Sequence, residues 1–265
     1  MLNITKINEN IHRLMLPYKD IFTTVYTIRT PEGVLLFDAG SFDNDAGDYI
    51  VPFLKELGIS REELKHVFIS HNHRDHAGGL HCLMPYLPEA SIVSRSPDLK
   101  ERYGQAYQVI APEEGAVLLG TLRVVTIPGH TLDSMALHDL RTNTLVTGDC
   151  LQVYGIVGAE DWAANIRFPA EHLEALEKVR SIDADQIVTA HDYYPCGYRA
   201  DGKAEVAQMI DNCVIPVRRL IKLIRENPGL DDRQIRELYN DTPNTPTARI
   251  GVIEATRAAI EAGKL

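Results

Sequence analysis

A chain of 265 residues, 45% hydrophobic and 24% charged, has the composition of a globular protein with a sizeable core. Its net charge of −10, without any Lys/Arg-rich block, opposes a nucleic-acid backbone, so nucleic acid is not expected as a partner and a small-molecule substrate is. No apolar run approaches the ~18 residues of a membrane span, and the N-terminus lacks a charged segment followed by a long apolar stretch, so no membrane association is expected and the chain reads as cytoplasmic.

In chain order, residues 11–16 alternate loosely and predict a strand that Pro17 turns. Residues 23–29 are β-branched and aromatic. Pro31-Glu32-Gly33 turns them into residues 34–38, giving a hairpin with a buried second strand that ends at Asp38. Residues 45–57 predict a helix with Ile50, Phe53, Leu54 and Leu57 on one face, stopped by Gly58. The apolar run Val67-Phe68-Ile69 then predicts a buried strand, which ends in Ser70-His71-Asn72-His73-Arg74-Asp75-His76-Ala77-Gly78-Gly79.

Residues 80–86 predict a helix ended by Pro88, residues 91–94 a short strand, and residues 97–103 a helix. A strand over 121–127 runs into Pro128-Gly129-His130-Thr131. Strands over 134–140 and 144–147 flank the turn Arg141-Thr142-Asn143, and the second ends at Gly148-Asp149. A helix over 170–181 and a strand over 186–190 lead to His191. The order of strand, hairpin, strand ending in an acid, helix and strand ending in histidine thus occurs twice, and two such units would pack sheet on sheet with helices outside.

Beyond residue 200 the chain turns helical. Residues 204–225 carry Val206, Met209, Ile210, Cys213, Val217, Leu220, Ile221 and Ile224 at spacings of three and four, a stripe that Pro216 should kink or divide. Asn227-Pro228-Gly229 breaks the helix, and residues 231–239 and 247–262 predict two more. The organisation read from this is a domain over 1–200 with C-terminal helices, 201–265, packed on it or capping it. The long stripe is read as core packing, as a cover over the site, or as a homodimer face.

The histidine cluster carries the chemistry. His71 and His73 are two apart, so in an extended segment both rings leave on one side and can meet one ion. Asp75 and His76 are adjacent and are expected to diverge toward a second ion, while Gly78-Gly79 permits close backbone approach. The four cysteines, Cys82, Cys150, Cys196 and Cys213, have no C-x-x-C spacing and are expected as free thiols; Cys150 and Cys196, close in sequence to Asp149 and His191, could approach the ions, but both are expected to be buried as small hydrophobes.

The string His71-x-His73-x-Asp75-His76 followed by two glycines resembles the signature of the metallo-β-lactamase superfamily, and Pro128-Gly129-His130, Gly148-Asp149 and His191 match its later motifs in order. The resemblance covers about residues 10 to 195. It implies an α/β fold, a four-layer αββα sandwich of two facing mixed β-sheets with outer helices, here with a C-terminal helical elaboration. It also implies two divalent metal ions, with His71, His73 and His130 on one, Asp75, His76 and His191 on the other, and Asp149 bridging. Nitrogen and oxygen donors without thiolate suit Zn²⁺, with Fe²⁺ and Mn²⁺ as alternatives.

Two divalent ions bring four positive charges, against three negative ones from Asp75, Asp149 and hydroxide. The site would thus be positive by about one unit, which favours a developing oxyanion. The chemistry so implied is a metal-bound hydroxide attacking an ester, lactone or thioester bond, with Asp75 as the catalytic residue that orients it and accepts its proton. The bridging aspartate makes the chain similar to thioesterases of the glyoxalase II type and to lactonases, and unlike true β-lactamases. On that likeness Tyr154, and Tyr193 or Tyr194 beside His191, are candidates for hydrogen bonding the substrate carbonyl. Arg218, Arg219, Lys222 and Arg225 are read as a solvated face or as a thioester-binding cluster. A phosphodiesterase and an iron-dependent oxidoreductase similar to persulfide dioxygenases are the alternatives within the same superfamily. Asp38 has two readings: a turn cap, or a hydrogen-bond partner of a ligand.

Overall fold

β1 (Asn3–Lys6), β2 (Ile11–Tyr18), β3 (Ile21–Thr30) and β4 (Gly33–Phe37) form an antiparallel meander, joined by parallel pairing to β5 (Leu64–Phe68), β6 (Ser91–Val93) and β7 (Val109–Ile110). The computed structural model describes residues 2–156, 163–241 and 247–265, and the chain divides into two compact units. The first unit is Met1–Thr126 with Met135–Gly148, the second Ile127–Ser134 with Asp149–Leu265.

In the first unit the ladder of β2 with β3 runs straight through Pro17, which sits opposite Phe22, so the expected turn there does not occur. β1 pairs only as far as Met15, so at Pro17 the other side of β2 has no neighbouring strand in this ladder and the missing proline N–H breaks nothing. Ala46–Ile50, a π-type turn, leads into α1 (Val51–Glu56), whose Phe53 and Leu54 are buried with Ile50. The short helices α2 (Arg74–Ala77) and α3 (Leu80–Leu83) follow β5, and α4 (Pro97–Tyr103) starts at the cap Ser96, whose hydroxyl accepts from the Leu99 amide.

Phe37 stacks on Phe68 at 5.1 Å across β4 and β5, and Tyr26 meets Phe37 edge-on. Side chains of this size, fully buried, contribute ~1.5–3 kcal/mol each. The same unit holds the antiparallel run β8 (Val117–Leu118), β9 (Leu122–Thr126), β10 (Met135–Asp139) and β11 (Thr144–Val146). The turn between β10 and β11 is held by Arg141, whose guanidinium donates to both Asp139 oxygens.

In the second unit α5 (Pro169–Ile182) precedes the hairpin of β12 (Gln186–Tyr193) and β13 (Gly197–Asp201), then come α6 (Gly202–Glu226), α7 (Asp232–Asn240) and α8 (Ile250–Glu261). β12 continues past Ala190 through His191 to Tyr193, with a register shift after Val188. β1, β7, β8 and β13 were not expected from the sequence; they are two to five residues long, too short for a period to show.

α6 is one helix, undivided at Pro216. Its stripe is buried on both sides of the proline, from Val206 and Met209 to Leu220 and Ile224, and packing against α5, α7 and α8 outweighs one lost backbone bond. α7 opens with a capping box: Asp231 accepts from the Gln234 amide, and the Gln234 side chain accepts from the Asp231 amide. Among the described residues no helix is long and apolar enough to cross a membrane.

His172 on α5 is fully buried, and burial pushes its pKa down from 6.5 to about 4. Below about 6.5 the unfolded chain takes up a proton that the native ring refuses, so folding stability is lost as pH falls from 6.5 toward 4. The variant His172→Gln should flatten this part of the curve; denaturant midpoints of both proteins across that window check it, and equal slopes would refute the assignment.

Candidate metal centre

β4 and β5 end side by side, Phe37 opposite Phe68, so Asp38 and the segment after Ile69 leave the same end of the sheet. Asp38 adopts φ 64°, a left-handed conformation that Asp tolerates better than most residues, and its carboxylate turns back on the histidine segment. Oδ1 accepts the Ser70 amide at 2.7 Å, Oδ2 accepts the Ser70 hydroxyl at 2.9 Å, and His76 Nδ1 donates to Oδ2 at 2.7 Å. The carboxyl is fully buried. Burial raises its pKa, against the His76 ring and the Ser70 donors, which lower it. Of the two sequence readings of Asp38, the hydrogen-bond partner is the one observed.

Around that anchor the four expected donors of this unit gather. His71 Nε2 lies 3.0 Å from His73 Nδ1, in keeping with side chains two apart leaving on one side. The rings of His71 and His76 are 4.3 Å apart. Asp75 and His76 do not diverge as expected: His76 Nε2 is 3.5 Å from Asp75 Oδ2. They lie on α2, where successive side chains are only about 100° apart, and the imidazole is long enough to close the gap. Gly78 shows why a glycine follows: a Cβ there would sit 2.3 Å from both the Arg74 and Ser41 carbonyl oxygens.

The second unit brings together the remaining three. Asp149, 5% exposed, has Oδ1 at 3.2 Å from His191 Nε2 and Oδ2 at 3.7 Å from His130 Nε2. His130 Nδ1 donates to the Asn165 carbonyl at 2.7 Å. His130 is presented by Gly129, which adopts φ 148° with its Cα against α5; a Cβ would meet the His172 Cβ at 2.6 Å.

The donor chemistry fits divalent cations. Asp38 and the Asn165 carbonyl each hold the Nδ1 proton of a ring, which leaves the lone pair on Nε2 of His76 and His130. Those Nε2 atoms, and that of His191, face carboxylate oxygens at 3.2 to 3.7 Å. Two lone pairs so placed repel unless positive charge lies between them, and two donors each at about 2.0–2.1 Å from a tetrahedral ion stand about 3.3 Å apart.

Tyr154 is half-buried beside an apolar cavity shared with Pro216, Val217, Leu220 and Tyr239, and burial raises its pKa. Tyr193 is fully buried, its hydroxyl accepting from Gln152 and its ring edge-on to His191. Tyr194 is exposed, with its ring 6.4 Å from that of Tyr154. Arg219 stacks on the Tyr239 ring at 4.0 Å and donates to its carbonyl, so it packs α6 on α7. All four cysteines are free thiols; burial pushes Cys213 up to about 12, and Cys196 accepts from the Asn212 side chain. Sequence reasoning missed Gln152 and Asn165, which touch the donors only through the fold.

Residues 18–191 match the family model of the metallo-β-lactamase superfamily. The chain is 24% identical over 226 residues to a β-lactamase-like protein 2 homologue of Caenorhabditis elegans, covering 83% of this chain and 72% of the worm protein. It is 32% identical over 164 residues to an atrochrysone carboxyl ACP thioesterase of Emericella nidulans, covering 60% of this chain and 48% of that protein, so it spans about half the length of the fungal relative. A solved metallo-β-lactamase family protein from Thermus thermophilus aligns with a TM-score of 0.67 at 17% identity, covering 97% of this chain and 95% of that one. That likeness shows the fold, the α/β sandwich of two mixed sheets with outer helices expected from the sequence.

Two substitutions test the geometry. Asp38→Ala should lower affinity for Zn²⁺ about 10- to 100-fold by releasing His76; chelator competition measures it. Gly129→Ala should destabilise the fold by at least ~1 kcal/mol and weaken metal binding with it. Unchanged unfolding and unchanged affinity in that variant would show that the turn tolerates a side chain.

Proposed function

Since the chain belongs to the metallo-β-lactamase superfamily, we propose that it is a metal-dependent hydrolase acting on an ester, lactone or thioester bond of a small substrate. The observation that carries this reading is the pair of Nδ1 hydrogen bonds, to Asp38 from His76 and to the Asn165 carbonyl from His130, which prepare each ring to ligate through Nε2. His71, His73 and His130 are proposed as donors to one divalent ion, Asp75, His76 and His191 to a second, and Asp149 to both, in the arrangement that the superfamily resemblance implies. The imidazole-rich set of nitrogen and oxygen donors suits Zn²⁺, with Fe²⁺ and Mn²⁺ as alternatives. Ions held there would supply Lewis acidity and a water that ionises near neutral pH.

The chain's own residues do the rest. Asp75, whose side chain is 14% exposed, is proposed to orient that water and accept its proton. Tyr154, with one face in an apolar cavity, is proposed to hydrogen-bond the substrate carbonyl. The fungal relative, an ACP thioesterase, supports thioesters as the first class to test.

Purified protein assayed for metal content and against thioesters, lactones, p-nitrophenyl esters, bis-p-nitrophenyl phosphate and a persulfide tests the reading. Hydrolysis of a carboxylic ester or thioester, abolished by chelation and restored by Zn²⁺, is expected. Activity that survives complete metal removal would overturn it, and iron with persulfide oxidation would replace it by an oxygenase. Asp75→Asn should lower kcat about 10²- to 10⁴-fold. Imidazoles ligate only when neutral, so metal content and activity should fall together as pH drops through about 6.5, followed by metal analysis after dialysis at each pH.

A further inference from the structure

Gln152 lies in the irregular segment after β11, only 2% exposed, within an otherwise apolar run of Cys150, Leu151 and Val153. Its Nε2 donates to the Asp149 backbone carbonyl at 2.9 Å and to the Tyr193 hydroxyl at 3.3 Å, while its Oε1 accepts the Asn165 amide at 2.8 Å. The amide can face only one way, because a backbone carbonyl only accepts and a backbone N–H only donates.

Each arm ends on a residue that positions one donor of the second unit. The first holds the backbone of Asp149 itself. The second holds Asn165, whose carbonyl takes the Nδ1 proton of His130 at 2.7 Å. The third holds Tyr193, whose ring stands edge-on to His191 with centroids 5.9 Å apart. We propose that Gln152 is the positioning residue of this group, the side chain that keeps His130, Asp149 and His191 at the mutual spacing a cation requires.

The chemistry explains why an amide stands here. No helix or strand includes residues 150–155; Tyr154 and Gly155 exchange backbone hydrogen bonds with Tyr194, and the Gln152 side chain adds an anchor close to Asp149. A single neutral group with two donors and an acceptor satisfies a buried carbonyl, a partly buried N–H and a buried hydroxyl at once. Glutamate would set a negative charge against the Asp149 carbonyl, and leucine would leave all three partners without Gln152. The inference rests on the metal-hydrolase reading, and its test separates the two.

The variants Gln152→Glu, Gln152→Leu and Tyr193→Phe, made in the full chain, are compared with the parent in three measurements: Zn²⁺ affinity by competition with a chromogenic chelator, the visible bands of the Co²⁺-loaded protein, and the thermal transition of the metal-free protein. Expected are a loss of affinity of about 10- to 100-fold and shifted Co²⁺ bands for both Gln152 variants. Tyr193→Phe, which removes one arm of three, should give a smaller change in the same direction. Where Gln152→Leu does not fold, Gln152→Glu and Tyr193→Phe decide. Folded variants with the parent's affinity and Co²⁺ spectrum would overturn the assignment, as would a loss of stability in the metal-free protein that accounts for the whole effect. If the parent itself binds no metal, the hydrolase reading falls and this inference with it; if the parent binds metal and the variants match it, only this inference falls.

Discussion

An imidazole has two nitrogens, and it can ligate a cation only through the one that the protein leaves without a proton. In this chain that choice is made outside the donors themselves. The buried Asp38 carboxylate takes the Nδ1 proton of His76, and the Asn165 carbonyl takes that of His130. One partner is a side chain at the end of a buried strand, the other a backbone group on a segment that Gln152 holds in turn. Were either hydrogen bond broken, the ring could rotate or change tautomer, and the Nε2 lone pair would no longer meet the acidic oxygens at 3.5 and 3.7 Å.

The sheet explains how Asp38 comes to do this. Parallel pairing of β4 with β5 ends both strands at the same level, so the acid after one strand faces the histidine segment after the other. Phe37 and Phe68, the stacked last residues of the two strands, lock that level by burial, and the Ser70 amide and hydroxyl complete the carboxylate's partners. The compact turn of α2 is then possible only because Gly78 lets the chain pass close against the Ser41 carbonyl. Strand packing, a left-handed aspartate and a glycine without room for a methyl group thus serve one end, the orientation of His76.

In the second unit the same end is reached with less regular structure. His130 follows a glycine pressed on His172, and His191 lies within β12, but residues 150–155, just after Asp149, belong to no helix or strand. Hydrogen bonds from one buried amide take the place of strand pairing there. A buried hydrogen bond left unmade costs more than a made one contributes, so such a hub also specifies a single arrangement.

Much of this was legible in the residues. Periodicity placed the main helices and the longer strands, because burial on one face imposes a repeat that the order of residues reveals. Spacing showed His71 and His73 on one side, and the ordered motifs ending in His130, Asp149 and His191 pointed to the family. What the sequence could not show were pairings whose cause is distance in space: Asp38 with His76, thirty-eight residues apart, or Asn165 with His130, thirty-five apart. Pro17 misled, and the helix was not divided at Pro216, for the same reason: a proline's effect depends on whether its absent N–H had a neighbour and on how much surface is buried around it. The residue types able to bind a cation are thus determined by the sequence alone. Which nitrogen each ring offers is decided by tertiary structure, because it depends on the single hydrogen bond that the other nitrogen makes.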